Sequence, residues 1–373
     1  MRTRISNVRV FDGEHRIDRT TVLIEDGRIA ATDDAPADVE IDGTGRTLLP
    51  GLIDAHTHIF DGDLAAALTF GVTTELDMFC LPEVLTAQRA AAASRDDIAD
   101  FRSAATLATA PGGHPSQLLA SPDIAARGLA PFDTISAPEQ AADFVRARLA
   151  EGADYLKIVI DDGAVHGTGL PVLSAETARA LTTHAHDAGL QVIAHAITER
   201  EVAIALDAGV DGLAHVWTDF SDHTLELADR IAARDVFVVS TLVYFEAITG
   251  QRETTADCAR PGSFADAVQV ARALHEAGVP LLAGTDATPY VPAHGSGLHR
   301  ELVLLIGVGM SPLEVLRAAT SRTADRFGLS DRGRIAPGLR ADLLLVDGDP
   351  TTDITATSEI AEVWRRGVRQ VRR

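Results

Sequence analysis

Apolar segments of strand type alternate with alanine-rich segments of helix type through some 280 residues in the middle of the chain. We predict strands at residues 52–58, 72–78, 103–109, 155–160, 191–195, 212–215, 236–242 and 280–286. A typical intervening helix covers 174–188, where Ser174 can cap the first turn. Such alternation is typical of βαβ units in a parallel sheet. Eight units suit a closed (β/α)8 barrel at least as well as an open sheet, so we predict an α/β barrel.

The two ends of the chain have a different pattern from the middle. Asp-Gly pairs at 12–13 and 26–27 separate short β-rich runs, and this pairing is a strong hairpin signal. The C-terminal region repeats it, with strands predicted at 341–346 and 361–364. We therefore predict that residues 1–51 and 331–373 form one small β domain, and that residues 52–330 form the barrel.

Composition excludes several classes of function. The chain of 373 residues is 46% hydrophobic, and it carries 33 basic against 54 acidic side chains for a net charge of −21. So acidic a balance argues against nucleic-acid and anionic-membrane partners. No apolar run approaches the roughly 18 residues of a membrane helix, and the first residues have no signal-peptide pattern. We expect a cytoplasmic protein that acts on a small molecule, and a homo-oligomer is compatible with the sequence.

Cysteine usage narrows the chemistry further. The chain contains only Cys80 and Cys258. Two cysteines are too few for a disulfide scaffold or for a zinc site built from cysteines.

Polar side chains cluster where the predicted strands end. In (β/α)8 barrels the active site lies at the carboxyl ends of the strands. Residues i and i+2 of a strand point the same way, so two histidines of the first strand can share one face. Imidazole and carboxylate are ligands that zinc and similar ions prefer. The candidates are His56, His58, Lys157, His195, His215 and Asp286.

Each candidate has an ordinary structural explanation when taken singly. A lone histidine on an apolar strand is more often a hydrogen-bonded core residue than a ligand, and Asp286 after Gly-Thr could simply form a turn. His184 and His186 show the contrast, because they fall in a predicted helix where i and i+2 face apart. The joint occurrence of all six candidates at strand ends predicts a metal site.

Lys157 is unusual in this composition. It is the only lysine in the chain, beside 32 arginines. Arginine keeps its charge in proteins, whereas a buried lysine can lose its proton and act as a nucleophile. Chance could leave one lysine in an arginine-biased chain, but its place at a strand end favours a function.

Two segments carry a resemblance to a known family. Residues 49–58 (LPGLIDAHTH) and 338–346 (GLRADLLLV) resemble the opening and closing segments of the amidohydrolase superfamily. The segments 71–74 (GVTT), 240–243 (STLV) and 284–286 (GTD) resemble its imidazolonepropionase-like and Xaa-Pro-dipeptidase-like branch. The resemblance implies a distorted TIM-like barrel with one or two divalent metals, and a β-sandwich formed beside it by both termini.

The resemblance also assigns the ligands. His56, His58 and Asp286 would hold one metal, and His195 and His215 a second. Lys157, carboxylated by carbon dioxide to an anionic carbamate, would bridge the two. We expect zinc, although manganese, cobalt and iron accept the same ligands.

The reaction implied is hydrolysis of an amide or peptide-like C–N bond. A hydroxide shared by the two metals would attack the carbonyl carbon, and Asp286 would act as general base and then as general acid. His114 matches a position that polarises the carbonyl in related peptidases, which makes it both a catalytic and a substrate-binding candidate. Tyr244 is a second substrate-binding candidate, although related dipeptidases place the tyrosine where this chain has Phe245.

Several alternatives stay open. A mononuclear hydrolase of a cyclic amide, or a deaminase, would need no bridging carbamate, so Lys157 argues against both. A scaffold without activity would not need a complete ligand set. Asp161 and Asp162 could bind a cationic substrate end, or could form an ordinary solvated turn before Gly163, and we favour the turn.

Overall fold

The computed structural model describes residues 1–120, 130–250, 263–288 and 291–371. The strands in these ranges are β1 (Arg2–Phe11), β2 (Arg16–Glu25), β3 (Arg28–Ala30), β4 (Val39–Asp42), β5 (Arg46–Pro50), β6 (Leu52–Thr57), β7 (Val72–Asp77), β8 (Asp100–Ser103), β9 (Leu156–Val159), β10 (Val192–His195), β11 (Gly212–Leu213), β12 (Phe237–Val239), β13 (Leu281–Leu282), β14 (Leu343–Asp347), β15 (Ile360–Arg365) and β16 (Val368–Arg369). The helices are α1 (Asp63–Thr69), α2 (Pro82–Ser94), α3 (Ala141–Glu151), α4 (Ala175–Asp187), α5 (Glu199–Ala208), α6 (Asp222–Ala233), α7 (Leu242–Gly250), α8 (Ser263–Glu276), α9 (Ser296–Val308), α10 (Pro312–Ala318) and α11 (Ser321–Arg326).

Both ends of the chain meet in one sheet, as the turn pattern predicts. Its strand order is β16-β15-β14-β5-β1-β2-β3, and β4 pairs with β1. The join between the ends is the antiparallel pair of β5 and β14, in which Leu344 lies opposite Leu49. Ile5, Leu48 and Trp364 belong to the buried apolar cluster of this sheet, and burial of such side chains stabilises it. The structure thus joins both termini in one sheet, and the β-sandwich stays a prediction.

The middle of the chain alternates strands with helices and contains a sheet with parallel strands, which agrees with the predicted α/β class. Strands β9, β10, β11 and β12 pair in parallel within a sheet of order β13-β12-β11-β10-β9. A three-stranded sheet has the order β6-β7-β8. Single parallel bridges join Thr57 to Ala287 and Ala108 to Ile158.

Two predicted strands end early at local backbone turns, and two others, predicted at 212–215 and 280–286, are observed only at Gly212–Leu213 and Leu281–Leu282. The third was predicted at 103–109, whereas β8 ends at Ser103. Ala105 has a φ of 55°, in the left-handed region, and this conformation interrupts the strand. The seventh was predicted to reach residue 242, but Thr241 has a φ of 43° and α7 begins at Leu242. Local backbone turns of this kind leave little trace in hydrophobic periodicity.

Helix α4 confirms the interpretation of its sequence. The Ser174 hydroxyl accepts a hydrogen bond from the Thr177 N–H and so satisfies a free donor of the first turn. His184 and His186 lie in the last turn, and His186 Nε2 lies 2.9 Å from the Asp211 carboxylate. Neither histidine lies at a strand end, so the structural interpretation of this pair stands.

The chain divides into two compact units. The first comprises Met1–Leu76, Ala90–Phe101 and Leu282–Arg373, and the second comprises Asp77–Arg89 and Arg102–Leu281. The predicted division at residues 51 and 331 stays a prediction. Among the described residues, none of the helices combines the length and apolar character needed to cross a membrane. Cys80 is buried in the second unit, and Cys258 lies outside the described residues.

Candidate metal centre

The first unit brings three predicted ligands together. His56 and His58 come from β6 and from the residue after it, two positions apart and therefore on one face. The Asp286 N–H donates to the His56 carbonyl at 2.7 Å, which fixes the aspartate beside the strand. Its Oδ1 atom lies 3.2 Å from His56 Nε2 and 3.1 Å from His58 Nε2. Both imidazoles thus converge on one carboxylate oxygen.

This arrangement fits a bound cation. Two ligand atoms that each lie about 2.1 Å from a tetrahedral zinc are roughly 3.4 Å apart. The observed separations of 3.1 and 3.2 Å are close to this value. His56 is 1% exposed and Asp286 is 8% exposed, so these two donors are shielded from bulk water, whereas the His58 side chain is 24% exposed. The donor set of two imidazoles and one carboxylate suits zinc and its neighbours.

Asp54 holds the three ligands in register. It accepts hydrogen bonds from the Thr285 N–H at 2.9 Å, from the Thr285 hydroxyl at 2.7 Å and from the His56 N–H at 3.2 Å. It therefore ties β6 to the turn that carries Asp286. Burial raises the pKa of Asp54 well above its usual value, and the adjacent Glu75 adds to this. Sequence reasoning missed this role, although Asp54 stands two residues before His56.

The second unit holds Lys157 and His195 on neighbouring parallel strands. Ile193 is the register partner of Lys157, and His195 follows two residues later. Because partners in register and residues i and i+2 share a face, the two side chains point to the same side of the sheet. Lys157 is 2% exposed and His195 is 8% exposed. His195 is the last residue of β10, whereas Lys157 is the second residue of β9, and the role of both as metal ligands stays a prediction.

His215 lies beside His195, and its Nδ1 atom already has a hydrogen-bonding partner. The ring centroids are 4.6 Å apart in an edge-to-face arrangement. His215 Nδ1 lies 3.0 Å from the Thr241 hydroxyl. A metal-binding histidine commonly donates its other ring N–H to such an acceptor, which fixes the tautomer and the ring orientation. Thr241 therefore leaves Nε2 of His215 as the nitrogen suited to a metal.

His114 also lies in this group. Its ring stacks on His195 with 5.0 Å between centroids. The Gln117 side-chain amide lies 3.0 Å from His114 Nδ1. Where Gln117 donates this bond, the proton of a neutral His114 is on Nε2, which is the tautomer that can donate to a substrate oxygen. The sequence contained no signal for Gln117.

Tyr244 and Phe245 both lie near His215. Each ring centroid is 6.2 Å from that of His215. Phe245 is fully buried, whereas Tyr244 is partly exposed in the first turn of α7. The tyrosine is thus the one of the two with a hydroxyl able to reach a ligand, and its substrate-binding role stays a prediction.

Asp161 departs from the solvated turn that its sequence suggests. The turn itself is present, since the Gly163 N–H donates to Asp161 Oδ1 at 2.8 Å. The carboxylate is only 1% exposed, however, and its Oδ2 atom lies 3.4 Å from His195 Nε2 and 3.9 Å from His114 Nδ1. Burial alone would raise the pKa of Asp161, but His195, His114 and the Gly163 N–H outweigh it and hold the pKa well below its usual range.

In the first unit, His294 is a further buried histidine that lies close to carboxylates. His294 Nε2 lies 3.3 Å from Asp63, and Nδ1 lies 3.8 Å from the fully buried Glu75. Burial by itself would lower the pKa of His294, but Glu75, Asp63 and Asp54 outweigh it and raise the pKa to about 9. The sequence pattern gave no indication of this group.

We expect His294→Gln to flatten the pH dependence of stability. The raised pKa means that the protonated His294 contributes stability fully below about pH 6.5 and loses it as pH rises through 9. The shift from 6.5 to about 9 corresponds to about 3 kcal/mol. Urea unfolding at pH 6.5, 8 and 10 measures this loss, with the exposed His223→Gln as control. Equal pH slopes for wild type and His294→Gln would show that His294 is not the group responsible.

Buried imidazole and carboxylate donors at strand ends of an α/β fold are typical of metal-dependent hydrolases. Residues 47–370 match the model of the amidohydrolase family, and the chain belongs to this family. This confirms the resemblance and the predicted enzyme class, a hydrolase acting on C–N bonds.

Individual relatives agree with the family assignment. The chain is 29% identical to an imidazolonepropionase of Deinococcus deserti over 95% of this chain and 92% of that protein. It is also 29% identical to an imidazolonepropionase of Salinispora arenicola over 99% of this chain and 94% of that one. A solved Xaa-Pro dipeptidase with bound methionine in its active site has a TM-score of 0.85, with 23% identity over 99% of this chain and all (100%) of that one. The last likeness concerns the fold, and it supports a TIM-barrel-like architecture.

Proposed function

We propose that this protein hydrolyses an amide or peptide-like C–N bond of a small molecule with the help of bound divalent metal. The observation that carries the proposal is the convergence of His56 and His58 on Asp286 at 3.2 and 3.1 Å. Two imidazoles and a carboxylate held this way can both bind a cation and present a proton acceptor beside it. Divalent ions bound by these ligands would lower the pKa of water and polarise a carbonyl oxygen.

The chain's own residues account for the proton transfers. The Asp286 carboxylate can accept a proton from water and pass it to the leaving nitrogen. Asp54 and the Thr285 turn hold that carboxylate in place. His114 donates a hydrogen bond from Nε2 to the substrate carbonyl oxygen and stabilises the charge that develops there.

We retain the predicted ligand assignment as part of the proposal. His56, His58 and Asp286 hold one ion, and His195 and His215 hold the other. Lys157, as a carbamate formed with carbon dioxide, is shared by both, and zinc is the expected metal. The support is that five of these residues are at least nine-tenths buried and that His58 contacts the same carboxylate oxygen as His56.

The proposal also includes four expectations about the architecture, location and assembly of the protein. They are a closed (β/α)8 barrel, a β-sandwich built from both termini, a cytoplasmic location and a possible homo-oligomer. The parallel pairing of β9 to β12 and the single sheet shared by both termini support the first two.

A cyclic amide is the second candidate substrate class. Its support is the likeness to two imidazolonepropionases along nearly the whole chain. A mononuclear enzyme of this kind has no use for a bridging carbamate, whereas this chain places its only lysine on a buried strand. The number of metals bound therefore discriminates between the two.

We expect purified protein to contain about two divalent ions per chain, as paired-metal hydrolases do. Elemental analysis after gel filtration measures this number. Chelator-treated protein should lose hydrolysis of a panel of dipeptides, N-acyl amino acids and cyclic amides, and zinc should restore it. One ion per chain with cyclic-amide activity would favour the second candidate, and active protein without metal would overturn the proposal.

A further inference from the structure

Asp161 presents a buried carboxylate oxygen to a buried histidine nitrogen. Asp161 is 1% exposed and His195 is 8% exposed. Among the described residues, neither Asp161 Oδ2 nor His195 Nε2 makes a hydrogen bond, although the two atoms lie 3.4 Å apart. Burying polar atoms without such partners costs free energy. Asp161 Oδ2 and His195 Nε2 could therefore both bind one ion placed between them.

The local fold holds this pair in place through Glu201. One Glu201 oxygen accepts from the Asp162 N–H at 3.0 Å, and the other accepts from the Ile197 N–H at 3.0 Å. These two N–H groups belong to the segments that follow β9 and β10. Glu201 thus fastens the segment carrying Asp161 to the segment that follows His195, and both of its oxygens are engaged in doing so.

The neighbouring Asp162 shows what an ordinary turn carboxylate does here. Its Oδ1 accepts from the Ala164 N–H at 3.0 Å, and its Oδ2 lies 3.3 Å from the Arg200 guanidinium. Both of its oxygens therefore have partners. Asp161 uses only Oδ1 in the turn, for the Gly163 N–H. The two adjacent aspartates have the same charge and different surroundings, which provides a matched comparison.

We propose that Asp161 is a further metal ligand, which shares with His195 the ion that this histidine binds. The 3.4 Å between Asp161 Oδ2 and His195 Nε2 matches the roughly 3.4 Å expected between two ligands of one tetrahedral ion. A carboxylate added beside imidazoles makes the donor set harder, so it favours manganese relative to zinc. This inference rests on the proposed function, because it needs a metal at His195.

Metal titration of the chelator-treated full chain tests the inference. Wild type, Asp161→Asn, Asp162→Asn and His195→Ala are titrated with Mn²⁺ and with Zn²⁺ against a competing fluorescent chelator. The asparagine at 161 keeps the oxygen that caps the turn and removes the negative charge. We expect Asp161→Asn to weaken Mn²⁺ binding at the site lost in His195→Ala by at least ~10-fold, and Zn²⁺ binding by less. Asp162→Asn should stay within about 2-fold of wild type.

The possible outcomes separate this inference from the proposed function. If wild type binds neither ion, the metal-dependent function itself is wrong. If wild type binds metal and His195→Ala loses a site, but Asp161→Asn matches wild type for both ions, only the role of Asp161 is wrong. Equal losses in Asp161→Asn and Asp162→Asn would also overturn it, because they would indicate a damaged loop. Circular dichroism of each chelator-treated variant verifies that it is folded.

Discussion

Replacing Asp286 with asparagine is expected to leave a folded protein whose turnover is at least about 100-fold slower, because general bases commonly contribute 10²–10⁴-fold. The amide is nearly the same size and can still accept hydrogen bonds through its oxygen, so the packing beside His56 and His58 should survive. It cannot take up a proton from water at neutral pH. The kcat of wild type and Asp286→Asn on the best amide substrate of the panel measures the effect.

The control for this prediction is an aspartate outside the site. Asp347, at the end of β14, pairs with Arg46 at 2.8 Å and its side chain is 64% exposed. Asp347→Asn should keep wild-type activity, since exposed ion pairs contribute little. An Asp286→Asn protein that kept more than about a hundredth of the wild-type rate would rule out the general-base role.

Lys157→Arg is expected to lose one of two bound ions and nearly all activity. The substitution keeps a similar volume, but a guanidinium stays positively charged and does not form the anionic carbamate that the proposed centre requires. Lys157 is 2% exposed on a strand between buried neighbours, so a carbamate formed there would be shielded from bulk water. A neutral amine that reacts with carbon dioxide becomes an anion suited to two cations. Elemental analysis and kcat measured on the same preparation check both parts.

Lys157→Ala provides a sharper form of the same test. It should be inactive alone, and acetate or propionate should partly restore activity by occupying the place of the carbamate. Lys157→Arg leaves no room for the added acid and should not respond to it. A fully active enzyme whose crystal structure shows an unmodified Lys157 would contradict the proposal and favour the mononuclear alternative.

The sequence predicted those parts of the fold that depend on periodicity. Apolar strand segments found β6, β9 and β10 to within a few residues, and Asp-Gly turns placed both termini in one β sheet. The ends of β8 before Ala105 and of β12 before Thr241 were not predictable, because each depends on one left-handed residue of a type that rarely adopts this conformation.

The candidate site also contains some residues that the sequence predicts and others that it does not. His56 and His58 could be predicted because two ligands two residues apart on one strand form a local pattern. Asp161 could not, because its environment depends on Glu201, which lies 40 positions later in the chain and joins two loops. His294 is similar, since its carboxylate neighbours come from distant segments. Local motifs reveal ligands, whereas the residues that surround them are set by tertiary contacts.

The pairing of β5 with β14 has a consequence for synthesis of the protein on the ribosome. Arg46 in β5 lies opposite Asp347 in β14, so some 300 residues must be translated between the two partners. Until then β5 has an unpaired edge, and open edges of apolar strands promote aggregation. Gly51 alone separates β5 from β6, the strand that carries His56. The nascent chain therefore cannot complete this sheet until β14 has been translated. The strand that carries His56, β6, follows directly from the sheet.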